Sequence, residues 1–226
     1  MEEKEPIHPS ELVFEEGVFL VKLARKAVEE YLKENRRIKP PPNTPKKLFR
    51  PGMSFTTIEV YHDYHHRSLR GCIGYLQPVM SLVESVIDSA IQAAVGDPRF
   101  PPMSVNELPT VTFEVSVLSV PVLIEVEDRR RLPEKIIVGR HGLIIERGFF
   151  KGTLLPQVPV EYGWDSETFL AETCIKAGLP PDCWLDERVK IYAYEARLWR
   201  EKEPLGEIEE RDLRRELEKL WGERKS

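Results

Sequence analysis

The chain has no apolar run approaching the roughly 18 residues that a membrane-spanning helix needs. Its start, Met1-Glu2-Glu3-Lys4-Glu5, lacks the basic region and apolar stretch of a signal peptide, so a cytoplasmic protein is expected. There are only three cysteines, which allow at most one internal disulfide and leave an odd thiol, and this excludes a secreted disulfide framework. Cys174 and Cys183 could pair across eight intervening residues, but a reducing cytoplasm favours free, packed thiols unless the source is hyperthermophilic. An excess of positive charge is also missing. A net charge of −5 speaks against a non-specific grip on nucleic acid, whose affinity comes mostly from Lys and Arg neutralising phosphates. The sequence contains no Gly-x-Gly-x-x-Gly, phosphate-loop or serine-elbow motif, which argues against dinucleotide binding, nucleotide hydrolysis and the serine-hydrolase fold.

What is present is enough for a packed interior. With 226 residues, 41% of them hydrophobic, the chain can form one large domain or two small ones. Charged residues reach 31%, mostly Glu, Lys and Arg, beside 19 prolines, a balance found in proteins from hot environments. Ser10 is placed as an N-cap, and Phe14, Val18, Val21, Ala24, Val28, Tyr31 and Leu32 recur at helical spacing, which predicts a helix over 11–34. Pro40-Pro41-Pro42 ends it, and 36–54 reads as a wrapping loop. Phe55–Tyr61 and Leu69–Tyr75 form the arms of a hairpin that turns at residues 62–67. Ser81 caps a helix with Leu82, Val83, Val86, Ile87, Ala90, Ile91 and Ala94 on one face, stopped by Gly96.

Alternation predicts strands over Thr110–Val120 and Val189–Leu198. Between them fall a hairpin over Ile136–Phe150 turning at Gly139-Arg140-His141-Gly142, a Leu-Pro-Gln-Val loop, and a helix over Ser166–Ala177 stopped by Gly178 and Pro180. A charged C-terminal helix carries Leu213, Leu217, Leu220 and Trp221 on one face, to pack on the large domain or on another copy. The expected fold is α+β, with mostly antiparallel sheets and flanking helices. A large domain comprises 1–124 plus 188–226, a smaller inserted domain comprises 125–187, and a cleft lies between them.

Ser68-Leu69-Arg70-Gly71-Cys72-Ile73-Gly74-Tyr75 places a guanidinium and a thiol among glycines inside a strand. Strand alternation assigns Arg70, Cys72 and Gly74 to one face and Leu69, Gly71 and Ile73 to the other, core-seeking one. Glycine in a strand forfeits packing and is tolerated where a backbone or a ligand comes close. Leu-Arg-Gly-Cys-Ile-Gly at 69–74 resembles the signature hexapeptide of the AMMECR-type domain family. The resemblance continues in order through Asp97-Pro98-Arg99-Phe100-Pro101-Pro102, Phe113-Glu114-Val115-Ser116-Val117-Leu118, His141-Gly142-Leu143, Leu154-Leu155-Pro156-Gln157-Val158, Gly163-Trp164-Asp165 and Lys176-Ala177-Gly178-Leu179. It covers roughly residues 10 to 200. The resemblance implies a two-domain α+β protein with the hexapeptide near a cleft and no established reaction. It also implies links to Memo-like and radical S-adenosylmethionine proteins as partners.

Among candidate chemical groups Cys72 leads, because a thiolate is a strong nucleophile and a neighbouring cation such as Arg70 favours it. The alternative is a packed cysteine with Arg70 paired to a carboxylate. A base would come from His62, His65 or His66 in the hairpin turn, or from His141, which is preferred, while Glu114 serves as a base or as the partner of Arg70. Arg70 and Arg99, with Asp97 beside them, could clamp a carboxylate or phosphate, or Asp97 and Arg99 could simply pair. Gly71, Gly74 and Gln157 complete the expected ligand-binding set, Gln157 being equally suited to docking one domain on the other. The spacing of His62, His65, His66 and Cys72 speaks against a metal, and no cofactor is expected. Gly71-Cys72-Ile73-Gly74 has the outline of a nucleic-acid-binding Gly-x-x-Gly loop, but those loops join helices. The expected function is binding of a small polar or anionic ligand in the inter-domain cleft, with Cys72 as reactive centre. The competing expectation is a non-catalytic adaptor for a protein or structured RNA.

Overall fold

The computed structural model describes residues 5–223. It is α+β with antiparallel sheet, as expected, and it divides into two compact units. One runs up to Val120 and takes in Arg197–Arg211; the other comprises Pro121–Ala196 and the chain from Asp212. The expected insertion, 125–187, lies within the second unit, which extends beyond it on both sides.

In the first unit, α1 (Phe14–Glu34) and α2 (Leu82–Val95) pack on the sheet strands β1 (Met53–Tyr61), β2 (Arg67–Gly74) and β3 (Val111–Leu118). The α1 stripe closes over the core through Leu20, Val21, Ala24 and Val28. Phe14 stays exposed and Ser10 is not the cap of α1. Ser10 sits in a 3-10 turn, Pro9–Glu11, capped by the His8 side chain, and the Glu16 carboxylate accepts the Val13 N–H (2.9 Å) at the true helix start. For α2 the sequence signals hold: Ser81 and Glu84 form a capping box and Gly96 ends the helix. β3 is buried along its whole length, so Thr112, Glu114 and Ser116, the polar half of its alternation, are enclosed as well.

A long strand, β7 (Lys190–Glu201), serves both units in turn. Its last residues continue the first unit's sheet, ordered β2-β1-β3-β7 and closed by β8 (Ile208–Glu210). Its first residues belong to the second unit's sheet, where β4 (Val122–Leu123), β7, β5 (His141–Arg147) and β6 (Phe150–Leu154) lie side by side.

In the second unit, α3 (Leu132–Lys135), α4 (Gln157–Tyr162) and α5 (Ser166–Lys176) accompany that sheet. The hairpin turn falls at Gly148-Phe149, not at residues 139–142. Gly148 (φ +60°) takes the first central position of a two-residue turn, which leaves His141 to open β5. The expected Leu-Pro-Gln-Val loop is helical from Gln157, because Pro156, with φ −60°, already has helical backbone geometry. The C-terminal helix α6 (Leu213–Glu223) packs against α4 and buries Leu213 and Leu217, so it belongs to the second unit and not to the large domain. Cys174 and Cys183 are joined in a disulfide, against the expectation of free thiols. The stop after α5 at Gly178 turns the chain back until their Cα atoms stand 5.9 Å apart.

Candidate functional site

The hexapeptide lies on β2, at the edge of the first unit's sheet, and its pairing with β1 contains a bulge. Ile58 faces Gly71 and Glu59 faces Leu69, so Arg70 is the unpaired extra residue. The extra residue resets the alternation. Leu69, Cys72 and Gly74 share one face, Gly71 and Ile73 the other, and Leu69 is 40% exposed where a core position was expected. Arg70 therefore leaves the row of Cys72 and Gly74. Its Nε donates to Glu107 Oε1 (2.7 Å) and its Nη2 to the Pro101 carbonyl (3.0 Å), so its carboxylate partner is Glu107 and not Glu114. Both glycines mark close packing: a Cβ on Gly71 would meet the Ala93 carbonyl oxygen at 2.0 Å, and one on Gly74 the Phe55 ring at 2.2 Å.

On the other face the register aligns Cys72, Thr57 and Glu114 across β2, β1 and β3. The Thr57 hydroxyl donates to the Cys72 Sγ at 3.3 Å. Arg211 Nη1 donates to Glu114 Oε2 at 2.9 Å, with only 5% and 4% of their side chains exposed. A buried ion pair on a sheet face is expensive to desolvate, and the opposite face of the same strands is apolar through Ile58, Phe113 and Val115. Burial pushes the Cys72 thiol up to about 11; the Thr57 hydrogen bond and the Arg99 charge pull the other way and do not overcome it. Cys72 is thus a thiol at neutral pH.

Asp97-Pro98-Arg99, just past α2, covers the free edge of β2. Asp97 Oδ2 accepts the Cys72 N–H (2.9 Å), and Arg99 Nη2 donates to the Cys72 carbonyl (3.3 Å). Arg99 also donates through Nε and Nη2 to Asp97 (2.9 and 2.7 Å). The Asp97 side chain is 2% exposed, that of Arg99 46%. The hydrogen bonds from Arg99, joined by those from the Cys72 and Arg99 N–H groups, pull the Asp97 carboxyl from 3.8 down to about 2. A depressed carboxyl stabilises the fold above its unfolded pKa and loses that contribution as pH falls through the folded one. Stability should therefore drop by about 1–2 kcal/mol between roughly pH 4 and pH 2, the linkage figure being reduced because Arg99 is half in solvent. Asp97→Asn should remove this step from urea midpoints measured across that range; an unchanged step would assign it to other carboxylates.

The remaining candidates lie elsewhere. His141 belongs to the second unit, where its Nδ1 accepts the Ile137 N–H (3.2 Å), and burial followed by the Arg140 charge lowers its pKa. Gln157 is buried at the start of α4 in the same unit. In the exposed hairpin turn His66 is tied to Asp63, and His62 to Ser68 on β2. Among the described residues no group of three His, Cys, Asp or Glu side chains is gathered for a metal. Thr57, Glu107 and Arg211 were not singled out from sequence. Strand alternation and the Thr57 register could have found Thr57, whereas Glu107 and Arg211 meet the site only through tertiary folding.

A family model described as AMMECR1 matches residues 21–199. The chain belongs to the AMMECR1 family. Protein PH0010 of Pyrococcus horikoshii is 53% identical over 197 residues, 87% of this chain and 95% of that protein. A Caldivirga maquilingensis protein is 50% identical over 206 residues, covering 91% of this chain and 94% of its own length. Protein MK0488 of Methanopyrus kandleri is 48% identical over 206 residues, 91% and 98% of the two chains. The crystal structure of uncharacterized protein PH0010 superposes with a TM-score of 0.85 at 52% identity, covering 88% of this chain and 97% of that one. These AMMECR1 relatives come from thermophilic archaea, and in hyperthermophiles disulfides occur even in intracellular proteins. Among the described residues no helix is long and apolar enough to cross a membrane.

Proposed function

We propose that this AMMECR1-family protein binds a small polar or anionic ligand at the edge of the first unit's sheet, beside Cys72. The observation that carries the reading is the state of Arg99. Its Nε and Nη2 hold Asp97 and the Cys72 carbonyl, the side chain is half exposed, and its Nη1 makes no hydrogen bond among the described residues. A planar guanidinium held from behind, with the two N–H groups of Nη1 unused, suits an oxygen of a carboxylate or phosphate. Arg70 adds a second guanidinium whose Nη1 is enclosed without a partner, and both cations rest on the Phe100 ring, at 5.9 and 5.6 Å from its centroid.

Cys72 takes part as a weak S–H donor, and a nucleophilic role would require pH near its raised pKa of about 11. The function is therefore binding without thiolate chemistry at neutral pH, a role that also suits the Memo-like and radical S-adenosylmethionine partners implied by the family resemblance. Melting temperatures in a panel of carboxylates and phosphates test it. At least one compound should stabilise the wild type and Cys72→Ser, with the effect lost in Arg99→Gln. A panel without any stabiliser sinks the proposal. Because Cys72 is the free cysteine, alkylation of the native protein reports it alone, and the rate should climb toward about pH 11. Fast labelling at pH 7 would restore the reactive-thiol reading.

A further inference from the structure

Arg67 opens β2 opposite Tyr61, on the same sheet face as Cys72 but at the hairpin end. Its guanidinium carbon stands 5.7 Å from the Tyr61 ring centroid and 5.6 Å from that of Tyr64, and its Nη2 donates to the Lys202 carbonyl at 2.7 Å. The two arginines whose charges act on it have carboxylate partners: Arg200 has Glu209 and Arg211 has Glu114. Among the described residues Arg67 has none, and its Nε is enclosed without an acceptor. An enclosed guanidinium N–H without an acceptor is a costly feature.

Arg200 faces the same aromatic ring, its guanidinium carbon 5.8 Å from the Tyr64 centroid. Only its Nε is engaged, by Glu209 Oε1 at 2.9 Å, and its two terminal nitrogens make no hydrogen bond among the described residues. Burial and the Arg200 charge, with a further contribution from Arg211, lower the Arg67 pKa, so positive charge is crowded here despite Glu59 and Glu114. Tyr64 is exposed, which puts this end of the sheet within reach of solvent. Crowded cations near one aromatic ring, whose Nη1 in Arg67 and both terminal nitrogens in Arg200 make no hydrogen bond among the described residues, match a tetrahedral oxyanion that can accept from both.

We infer that Arg67 and Arg200, both near the Tyr64 ring, form a binding site for a phosphate group, using residues different from those of the Arg99 site. The phosphate could be free or carried by a small ester, and two probes separate these sources. Inorganic phosphate and glucose 6-phosphate are titrated into the intact protein at low ionic strength and followed by calorimetry. Binding of at least one probe is expected, tighter for the source that the site serves. Arg67→Gln and Arg200→Gln should each weaken it by about tenfold or more, and Arg67→Lys, which keeps the charge without the fork, should fall between. Arg99→Gln should leave the Arg67- and Arg200-dependent part of the binding in place, so that phosphate held at the Arg99 site is told apart from it. Absence of heat with both probes overturns the inference, as does wild-type affinity in Arg67→Gln. Loss of phosphate binding in Arg99→Gln alone would place the anion at the Cys72 edge, which supports the proposed function and removes this second site. Should Arg67→Gln fail to fold, Arg67→Lys and Arg200→Gln carry the same comparison.

Discussion

Gly71→Ala is expected to destabilise the protein by about 3 kcal/mol or more, a cost at the upper end of ordinary overpacking. The added Cβ would stand 2.0 Å from the carbonyl oxygen of Ala93 and 3.0 Å from its carbon, both backbone atoms of α2. A side chain in that position could rotate away, but a helix carbonyl can move only if the helix moves. Ala90 and Ala94 of α2 are buried in the core, while β2 is held on one side by the β1 ladder and on the other by Asp97 and Arg99 at Cys72. Neither element can yield without breaking those contacts. Gly148→Ala is the control: a Cβ there meets nothing within 4 Å, and the left-handed backbone (φ +60°) alone sets a cost of about 1–2 kcal/mol. Urea midpoints of the two variants give the comparison. If Gly71→Ala proved the milder change, the tight approach of α2 to β2 would be wrong, and the space beside Gly71 would be available to a ligand.

How far the sequence could be read depended on the range of the interactions involved. The α2 boundaries were legible because Ser81, Glu84 and Gly96 act within a few residues of one another. The β1-β2 hairpin was legible because a polar turn separates two β-rich runs. The bulge was not, since nothing local in Leu69-Arg70-Gly71 says that Arg70 will drop out of the ladder. That outcome depends on Glu107 and Pro101, 37 and 31 residues away, receiving its guanidinium. One unpaired residue then moved Leu69 from the core side to the exposed side and separated Arg70 from Cys72. Glu114 was recognised as an unusual carboxylate, but its cation, Arg211, lies 97 residues further along the chain. The disulfide depended on redox setting, which spacing does not encode. For Cys72 itself, Arg70 two residues before it suggested an activated thiol, whereas in the fold burial outweighs Arg99 and the thiol keeps its proton.

Glu201→Ala is expected to cost about 3–5 kcal/mol, because it strands a buried cation. Arg25 of α1 donates through Nε and Nη2 to the two Glu201 oxygens, each at 2.6 Å, and both side chains are almost fully enclosed. The guanidinium also donates to the carbonyls of Leu108 (3.1 Å) and Val111 (2.7 Å) and lies 4.6 Å from the Phe113 ring centroid. Glu201 in turn accepts the Phe113 N–H at 3.1 Å. One ion pair thus joins α1, β3 and β7, with Glu114 one residue beyond Phe113 on β3. Without Glu201 the charge on Arg25 loses its partner and the Phe113 N–H an acceptor, two separate penalties. Replacing both partners, as Arg25→Met with Glu201→Leu, removes the charge along with its partner and should recover most of the loss, since apolar substitutes often match a buried pair. Equilibrium unfolding of the single and double variants decides the point. A Glu201→Ala cost well below 1 kcal/mol would show that water reaches Arg25 and that the pair is only a surface bridge. A double variant as unstable as the single one would instead assign the cost to the backbone hydrogen bonds that Arg25 and Glu201 make across the sheet.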